Sequence, residues 1–305
     1  MPGLPDLPGL PGLLVTELAA RLAEGAGVAV TRCVPVGGEH GARHYRVRLA
    51  DGRELFVKAT EEAAGQASRA GQAALDAEAR SLRWLADAAA IPVPEVVFTG
   101  NGLLALAWIR QAGPERGAAE RFGRDLAGLH RAGADRFGAP WPGYIASLPL
   151  SNRRSDAWPS WYAECRLLPY CRLGRDAGTF GAADVALIES VAGRMAELAG
   201  PAEPPARLHG DCWPGNVLWS GGRGWLIDPA AHGGHRETDL AMLALFGAPF
   251  LDRILAAYGE VAPLATGWRA RVPLHQLHPL LVHVCLFGAG YRESALAAAR
   301  AALSA

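Results

Sequence analysis

Three polar residues in the stretch 206–247 have the types and spacing for phosphoryl transfer. Asp211 follows His209-Gly210, Asn216 stands five positions later, and Asp228 closes the apolar run Trp225-Leu226-Ile227. Moving a phosphoryl group to a hydroxyl requires one carboxylate to receive the hydroxyl proton. It also requires an amide oxygen and a second carboxylate to hold Mg2+ between the phosphates. Kinase catalytic loops meet this with Asp, four intervening residues, Asn, then a hairpin that ends in a metal-binding Asp. Here Val217-Leu218-Trp219, a turn at Ser220-Gly221-Gly222, and Trp225-Leu226-Ile227 predict such a hairpin, which would return Asp228 to Asn216. An Asp after Gly is often a plain turn former, and a lone Asp–x4–Asn arises by chance. The hairpin and the terminal Asp-Pro together point to catalysis.

This chemistry demands two further residues upstream. A lysine on a strand behind a glycine loop must reach the α- and β-phosphates. Glu54–Thr60 (ELFVKAT) supplies Lys58, with Phe56 on the same strand face and Leu55 and Val57 on the other. The alternative is an edge-strand lysine facing solvent. The lysine needs a glutamate on a helix. Glu78 has Leu75, Leu82 and Leu85 at −3, +4 and +7, which sets it on the apolar stripe, where a carboxylate needs a cation. Gly37-Gly38-Glu39-His40-Gly41 lacks the GxGxxG pattern, but its place between two strands ahead of Lys58 suits a lid over phosphates. There is no GxxxxGK[ST] motif, which disfavours a Walker-type fold.

The elements that would position these groups fall into two blocks. Residues 1–12, rich in Pro and Gly, read as an extended leader and lack the basic start of a signal peptide. A helix is predicted over 13–24. A strand, the glycine loop, a second strand, an Asp51-Gly52 hairpin turn and the Lys58 strand follow. Residues 60–73 are weakly patterned, and a helix runs from about Leu75 to Ala88. After Ile91-Pro-Val-Pro94 come two more strands. The second, from Leu103, has no polar residue and should be buried on both faces. From Pro114 the pattern turns helical, with a stripe of Phe122, Leu126, Leu129 and His130 and further helices over 158–172, 184–199 and 274–287. The expected fold class is α+β and bilobal, with a β-rich N-lobe over 13–109 and a larger, mostly helical C-lobe over 110–305.

Composition restricts the partners. Lys plus Arg and Asp plus Glu are equal at 30 each, so no electrostatic signature of nucleic-acid binding exists. No run approaches the roughly 18 apolar residues of a membrane span. The five cysteines are scattered without a CxxC pair, which fits a reducing cytosol and argues against a disulfide framework or zinc knuckle. A cytoplasmic monomer is the expectation.

The same residues carry a resemblance. HGDCWPGNVLW followed by IDPAAHGGHRETDLAMLALFG is similar to the fructosamine-3-kinase/ketosamine-3-kinase family, of the protein-kinase-like fold shared with aminoglycoside and choline kinases. The run 234–247 is the part most particular to ketosamine kinases. FVK at Phe56–Lys58, AEARSL at 77–82, LAGLHR at 126–131 and LFGAGY at 286–291 agree, so the resemblance covers roughly residues 35–291. It implies Asp211 as catalytic base, Asn216 and Asp228 as Mg2+ ligands, and Lys58 with Glu78 as the ATP-positioning pair. It further implies Gly37 and Gly38 at the phosphates, Asp239 bracing the catalytic loop, and a hinge of Leu106, Ala107, Trp108 and Ile109 offering backbone groups to adenine. The implied reaction is ATP-dependent phosphorylation of a free or protein-bound ketosamine at its 3-hydroxyl, with deglycation as the role. The sequence departs from the family at Glu39, where many relatives have cysteine; at Cys212, where leucine is usual and a small core residue is the simpler reading; and at Ala107, where glutamate is common.

Other readings stay open at this stage. A kinase of the same fold could act on an aminoglycoside or aminoalcohol, although residues 114–205 are not strongly acidic. A pseudokinase would be free to lose Lys58, Glu78, Asp211, Asn216 or Asp228, yet all are present. His209, His232 and His235 lie close in sequence but lack a completed zinc set, and His209 more simply organises the loop. Trp213 and Trp219 could stack on a sugar or pack in a core. Trp158, Trp161 and Tyr162 could line an acceptor cleft or pack between helices.

Overall fold

A computed structural model describes residues 12–39, 41–60 and 66–305, with side chains described from 16 and, after the second break, from 69. The leader before residue 12, and His40 of the glycine loop, lie outside the described residues. Five antiparallel strands form the N-terminal sheet: β1 (Val30–Glu39), β2 (Ala42–Leu49), β3 (Glu54–Thr60), β4 (Val96–Gly100) and β5 (Leu103–Ala107), in the order β1-β2-β3-β5-β4. Helix α1 (Gly12–Ala26) covers one face and α2 (Gln66–Asp87) the other.

This layering explains the apolar composition of β5. Side chains alternate along a strand. Leu103 and Ala105 pack with Leu18, Leu22, Val47 and Val57 on the α1 side, while Leu104 and Leu106 pack with Leu75, Ala79 and Leu82 of α2. A strand covered on both faces has no position left for a polar residue. Helix α2 starts at Gln66, earlier than the pattern predicts, because its first turns are rich in Ala and Gln and carry few large apolar residues to mark a stripe. The strand before the glycine loop also runs further than expected. Gly37 and Gly38 belong to β1, opposite His44 and Arg43, with an irregularity between Pro35 and Gly37.

The C-terminal part is mostly helical, built on two cores. One joins the helix Arg116–Arg131 to Leu251–Val261 and the hairpin at 217–226, with Phe122, Leu126 and Leu129 fully buried as the stripe predicts. It also takes in Leu85 and Ile91 from the end of α2 and the loop after it, so it ties the two parts together. The other core joins helices between Trp158 and Leu198 to those between Trp268 and Leu303. The stretch 268–303 is long and apolar enough to cross a membrane, but half of its most apolar window is buried inside the fold. Packing against the second core accounts for that composition. Two short sheets escape the sequence reading: Gly143–Ile145 with Leu148–Leu150, and Ala206–Leu208 with His232–Gly234. At three residues per strand, neither is long enough to show an alternating pattern.

Candidate active site

The catalytic stretch is a loop held by a carboxylate. The strand Ala206–Leu208 delivers His209, and Gly210 turns the chain with φ at +82°. No other residue fits there, since a Cβ on Gly210 would lie 2.2 Å from the Ala230 carbonyl oxygen. Asp239, in the helix Glu237–Leu245, accepts the N–H of His209 at 2.8 Å on one oxygen and that of Gly210 at 3.0 Å on the other. Its first oxygen also lies 3.2 Å from His130 Nε2, and His130 Nδ1 lies 2.8 Å from the Tyr258 hydroxyl. Burial pushes the Asp239 carboxyl up, but the His130 hydrogen bond and the charges and N–H groups around it hold it below the ordinary range. His209 Nε2 meets the Ile227 carbonyl at 2.8 Å, and its Nδ1 faces the Asp211 N–H at 3.3 Å. The imidazole therefore joins the loop that carries Asp211 to the one that carries Asp228.

The predicted hairpin forms. Val217–Ser220 pairs antiparallel with Arg223–Leu226, and the Ile227 N–H bonds to the Asn216 carbonyl at 3.1 Å. Asn216 donates its side-chain amide to Asp211 Oδ2 at 2.9 Å and to the Asp211 carbonyl at 3.0 Å, which leaves its own Oδ1 as an unspent acceptor. Asp228 adopts φ of +52°, an uncommon conformation for a residue with a side chain, at a cost of about 1–3 kcal/mol. In that conformation its Oδ1 sits 2.6 Å from Lys58 Nζ, and Lys58 Nζ lies 2.9 Å from Glu78 Oε2. The lysine side chain is 9 % exposed, so the bland edge-strand reading fails. Burial works to lower the Lys58 pKa, but Glu78 and Asp228 outweigh it and hold the ammonium above its ordinary value. Burial raises Glu78 to about 7 against the pull of Lys58, with Asp228 adding to the rise. Asp228, in spite of burial, is kept below the ordinary range by Lys58.

These groups share one cavity of about 200 Å3. Lys58, Glu78, Asp211, Asn216 and Asp228 line it, with Glu39, Gly41, Ala42 and His44 from the first hairpin and Tyr144, Ile145 and Trp213 from the C-terminal part. Burial pushes Asp211 up to about 7 against the Asn216 hydrogen bond, and the charges of Asp228, Asp239 and Glu39 add to the rise. A carboxyl that titrates there can take a proton at neutral pH. Asn216 Oδ1 and the second oxygen of Asp228 are hard donors of the kind Mg2+ prefers.

Some candidates stand elsewhere. Gly37 and Gly38 lie in β1 and do not line the cavity; Glu39 and Gly41, on either side of the turn, do. The hinge residues Leu106, Ala107, Trp108 and Ile109 also lie outside its lining. The Ala107 and Trp108 N–H groups are committed to the carbonyls of Glu95 at 2.9 Å and Glu54 at 3.0 Å. Trp158, Trp161 and Tyr162 are buried and belong to the second core, with Trp158 stacked on His275. Trp219 packs on Phe122, and Cys212 is fully buried. Trp213 is the exception, 38 % exposed beside Asp211. The sequence reading missed Tyr144 and Ile145, which reach the cavity from a strand of three residues with no motif to mark it.

His235, Glu237 and His275 place ligand atoms within 4.8 Å of one another. Both Glu237 oxygens are bound by Arg271, at 2.9 and 2.5 Å, so a cation already fills this cluster. His235 and Arg236, left open by the sequence, have structural partners: His235 packs against Trp158, and Arg236 pairs with Glu203 and caps the Ala262 and Pro263 carbonyls.

Comparison with known proteins gives a consistent result. The family model for fructosamine kinase matches residues 15–305. An Arabidopsis thaliana protein named protein-ribulosamine 3-kinase, chloroplastic, is 33% identical over 292 residues, covering 90% of this chain and 83% of its own length. A crystal structure from Thermobifida fusca, assigned by name to the fructosamine-3-kinases, is 53% identical with a TM-score of 0.90, covering 94% of this chain and 99% of that one. Choline kinase LicA from Streptococcus pneumoniae, at 16% identity and a TM-score of 0.64 over 96% of this chain and 100% of its own, shares the fold.

Proposed function

Because the chain belongs to the fructosamine kinase family, we propose that it transfers the γ-phosphate of ATP to the 3-hydroxyl of a ketosamine. The observation that carries this reading is the convergence of Asp211, Asn216, Asp228 and the Lys58–Glu78 pair on one cavity. Asp211 takes the hydroxyl proton as the substrate oxygen forms its bond to phosphorus, and the bond from phosphorus to the β-phosphate oxygen breaks to leave ADP. Asn216 orients Asp211 through its two N–H contacts. Lys58, fixed by Glu78, supplies the positive charge for the α- and β-phosphates. Asn216 Oδ1 and Asp228 would hold Mg2+, which would offset the negative charge of the phosphates.

The hinge reading follows from the same frame. The Ile109 N–H has no protein acceptor among the described residues, so it is the hinge donor left for adenine, and replacing glutamate by Ala107 removes no backbone group. Trp213 offers an exposed ring at the acceptor side, suited to one face of a sugar. A phosphate on the 3-oxygen is a good leaving group, so the product breaks down and frees the amine, which makes deglycation the role. Absence of acidic character in residues 114–205 weighs against an aminoglycoside acceptor.

The test is ADP release by the purified protein with ATP, Mg2+ and a panel of ribulosamines, fructosamines, an aminoglycoside and choline. Turnover on ketosamines is expected. Turnover only on another acceptor would keep the phosphoryl chemistry and remove the repair role.

A further inference from the structure

An aromatic ledge leads away from the catalytic loop. Trp213, next but one to Asp211, meets Phe246 edge-on at 5.8 Å. Phe246 lies 5.0 Å from His283, and His283 lies 5.4 Å from Phe287 and 4.8 Å from Tyr291. Phe287 and Tyr291 close the group at 5.9 Å.

Two helices are built to present these rings. Each ends in the same tripeptide, Leu245-Phe246-Gly247 and Leu286-Phe287-Gly288. The glycines take φ of +68° and +76°, positive values that a residue with a side chain rarely adopts. Each leucine packs on the second core, and each phenylalanine is left at the helix end beside His283. Phe287 is 58 % exposed, the most exposed of the large apolar side chains among the described residues. His283 donates Nδ1–H to the Pro279 carbonyl at 2.7 Å, so Nε2 is its acceptor, and burial lowers the pKa of the ring against that hydrogen bond. The basic side chain next in sequence, Arg292, is committed to Asp184 at 2.8 Å. The ledge is therefore electron-rich, with an acceptor nitrogen and, among the described residues, no cation over its rings.

We propose that the ledge binds the amine-bearing arm of the ketosamine: the secondary ammonium and the methylenes of a glycated lysine side chain in an accessible polypeptide segment. The proposal rests on the ketosamine reading above. Ring faces attract an ammonium and pack on methylenes. The ledge is continuous with the acceptor side through Trp213, which also lines the catalytic cavity. In a ketosamine the nitrogen is on C1, two carbons from the reacting 3-hydroxyl, so the arm leaves the cavity next to the base. The open end at Phe287 leaves room for a chain to continue.

The test compares two acceptors with the same sugar, the adduct of Nα-acetyl-lysine and the unsubstituted 1-amino-1-deoxyketose. Phe287→Ala should raise KM for the lysine adduct about five-fold with kcat unchanged, and leave both constants unchanged for the unsubstituted sugar. Phe287→Trp should restore the loss. An equal change on both acceptors, or none on either, overturns the proposal. So does a dimer that dissociates on Phe287→Ala, which would assign the ledge to a second copy of the chain. If the unaltered enzyme phosphorylates neither acceptor, the ketosamine reading itself fails.

Discussion

Asn216 spends both side-chain N–H contacts on Asp211, at 2.9 Å to the carboxylate and 3.0 Å to the carbonyl, so one amide orients the Asp211 side chain and keeps its own oxygen uncommitted among the described residues. Asp211→Asn removes the proton acceptor without changing shape. Turnover should fall by roughly 10²–10⁴-fold, while nucleotide affinity stays within about two-fold. Because burial sets Asp211 near 7, the ionised base disappears as pH falls through that value. In the unaltered enzyme kcat/KM should therefore rise with pH up to about 7 and then level. A flat profile between roughly pH 5.5 and 8 would remove Asp211 from the role.

Lys58 lies between two carboxylates, so its neighbours are not equivalent to lose. Glu78→Gln leaves Lys58 paired with Asp228 at 2.6 Å. The ATP KM should rise about ten-fold, because the lysine is no longer fixed toward the phosphates, and the melting temperature should change little. Lys58→Met leaves Glu78 and Asp228 facing each other in a buried site without a cation. That loss should cost about 3–5 kcal/mol. Thermal melts of the two variants give the comparison, and a Glu78→Gln protein as unstable as Lys58→Met would contradict it.

The parts of this site that are legible in the sequence are those whose geometry is local. Asp211, Asn216 and Asp228 are joined by one hairpin, and Glu78 reveals itself as a carboxylate on an apolar helical stripe. The Lys58–Glu78 pair spans only one strand and one helix, so pattern alone can anticipate it. Tyr144 and Ile145 enter the cavity from a three-residue strand, where neither alternation nor propensity has room to act. The position of Gly37 and Gly38 was not legible either. Glycine marks a permissive backbone but does not say whether a strand ends there, and in β1 the ladder continues to Glu39. The fate of Trp158 and Trp161 depended on tertiary contacts, which an aromatic stripe on a helix does not disclose.

Acid should destabilise this fold early. His209, His232, His235, His275 and His278 are buried, and burial lowers the pKa of each, to about 3 for His232 and His235. A histidine whose folded pKa is depressed binds fewer protons folded than unfolded between the two values. Stability therefore falls as pH drops below the unfolded value of about 6.5, by up to roughly 1.4 kcal/mol per pH unit for each such group. The melting temperature should drop steeply between about pH 7 and 5. A constant value over that range would mean that these imidazoles protonate without unfolding.

Lys58 is the only lysine in the chain, and the other 29 of its 30 basic Lys and Arg residues are arginines. Sugar aldehydes condense with unprotonated amines, and guanidinium groups stay protonated. The one lysine amine is buried, tied to Glu78 and Asp228, and held above its ordinary pKa, so it is both shielded and charged. A ketosamine kinase of this composition should not accumulate its own substrate on lysine side chains at its surface. Intact-mass analysis after incubation with ribose should show no adduct on lysine in the folded protein, and one at Lys58 when the same chain is incubated unfolded. Arg172→Lys places an amine at an exposed position and should create a site of glycation on the folded protein, which unaltered enzyme added with ATP then clears. Modification of Lys58 in the folded protein as fast as in the unfolded chain would show that the ion pairs give it no protection.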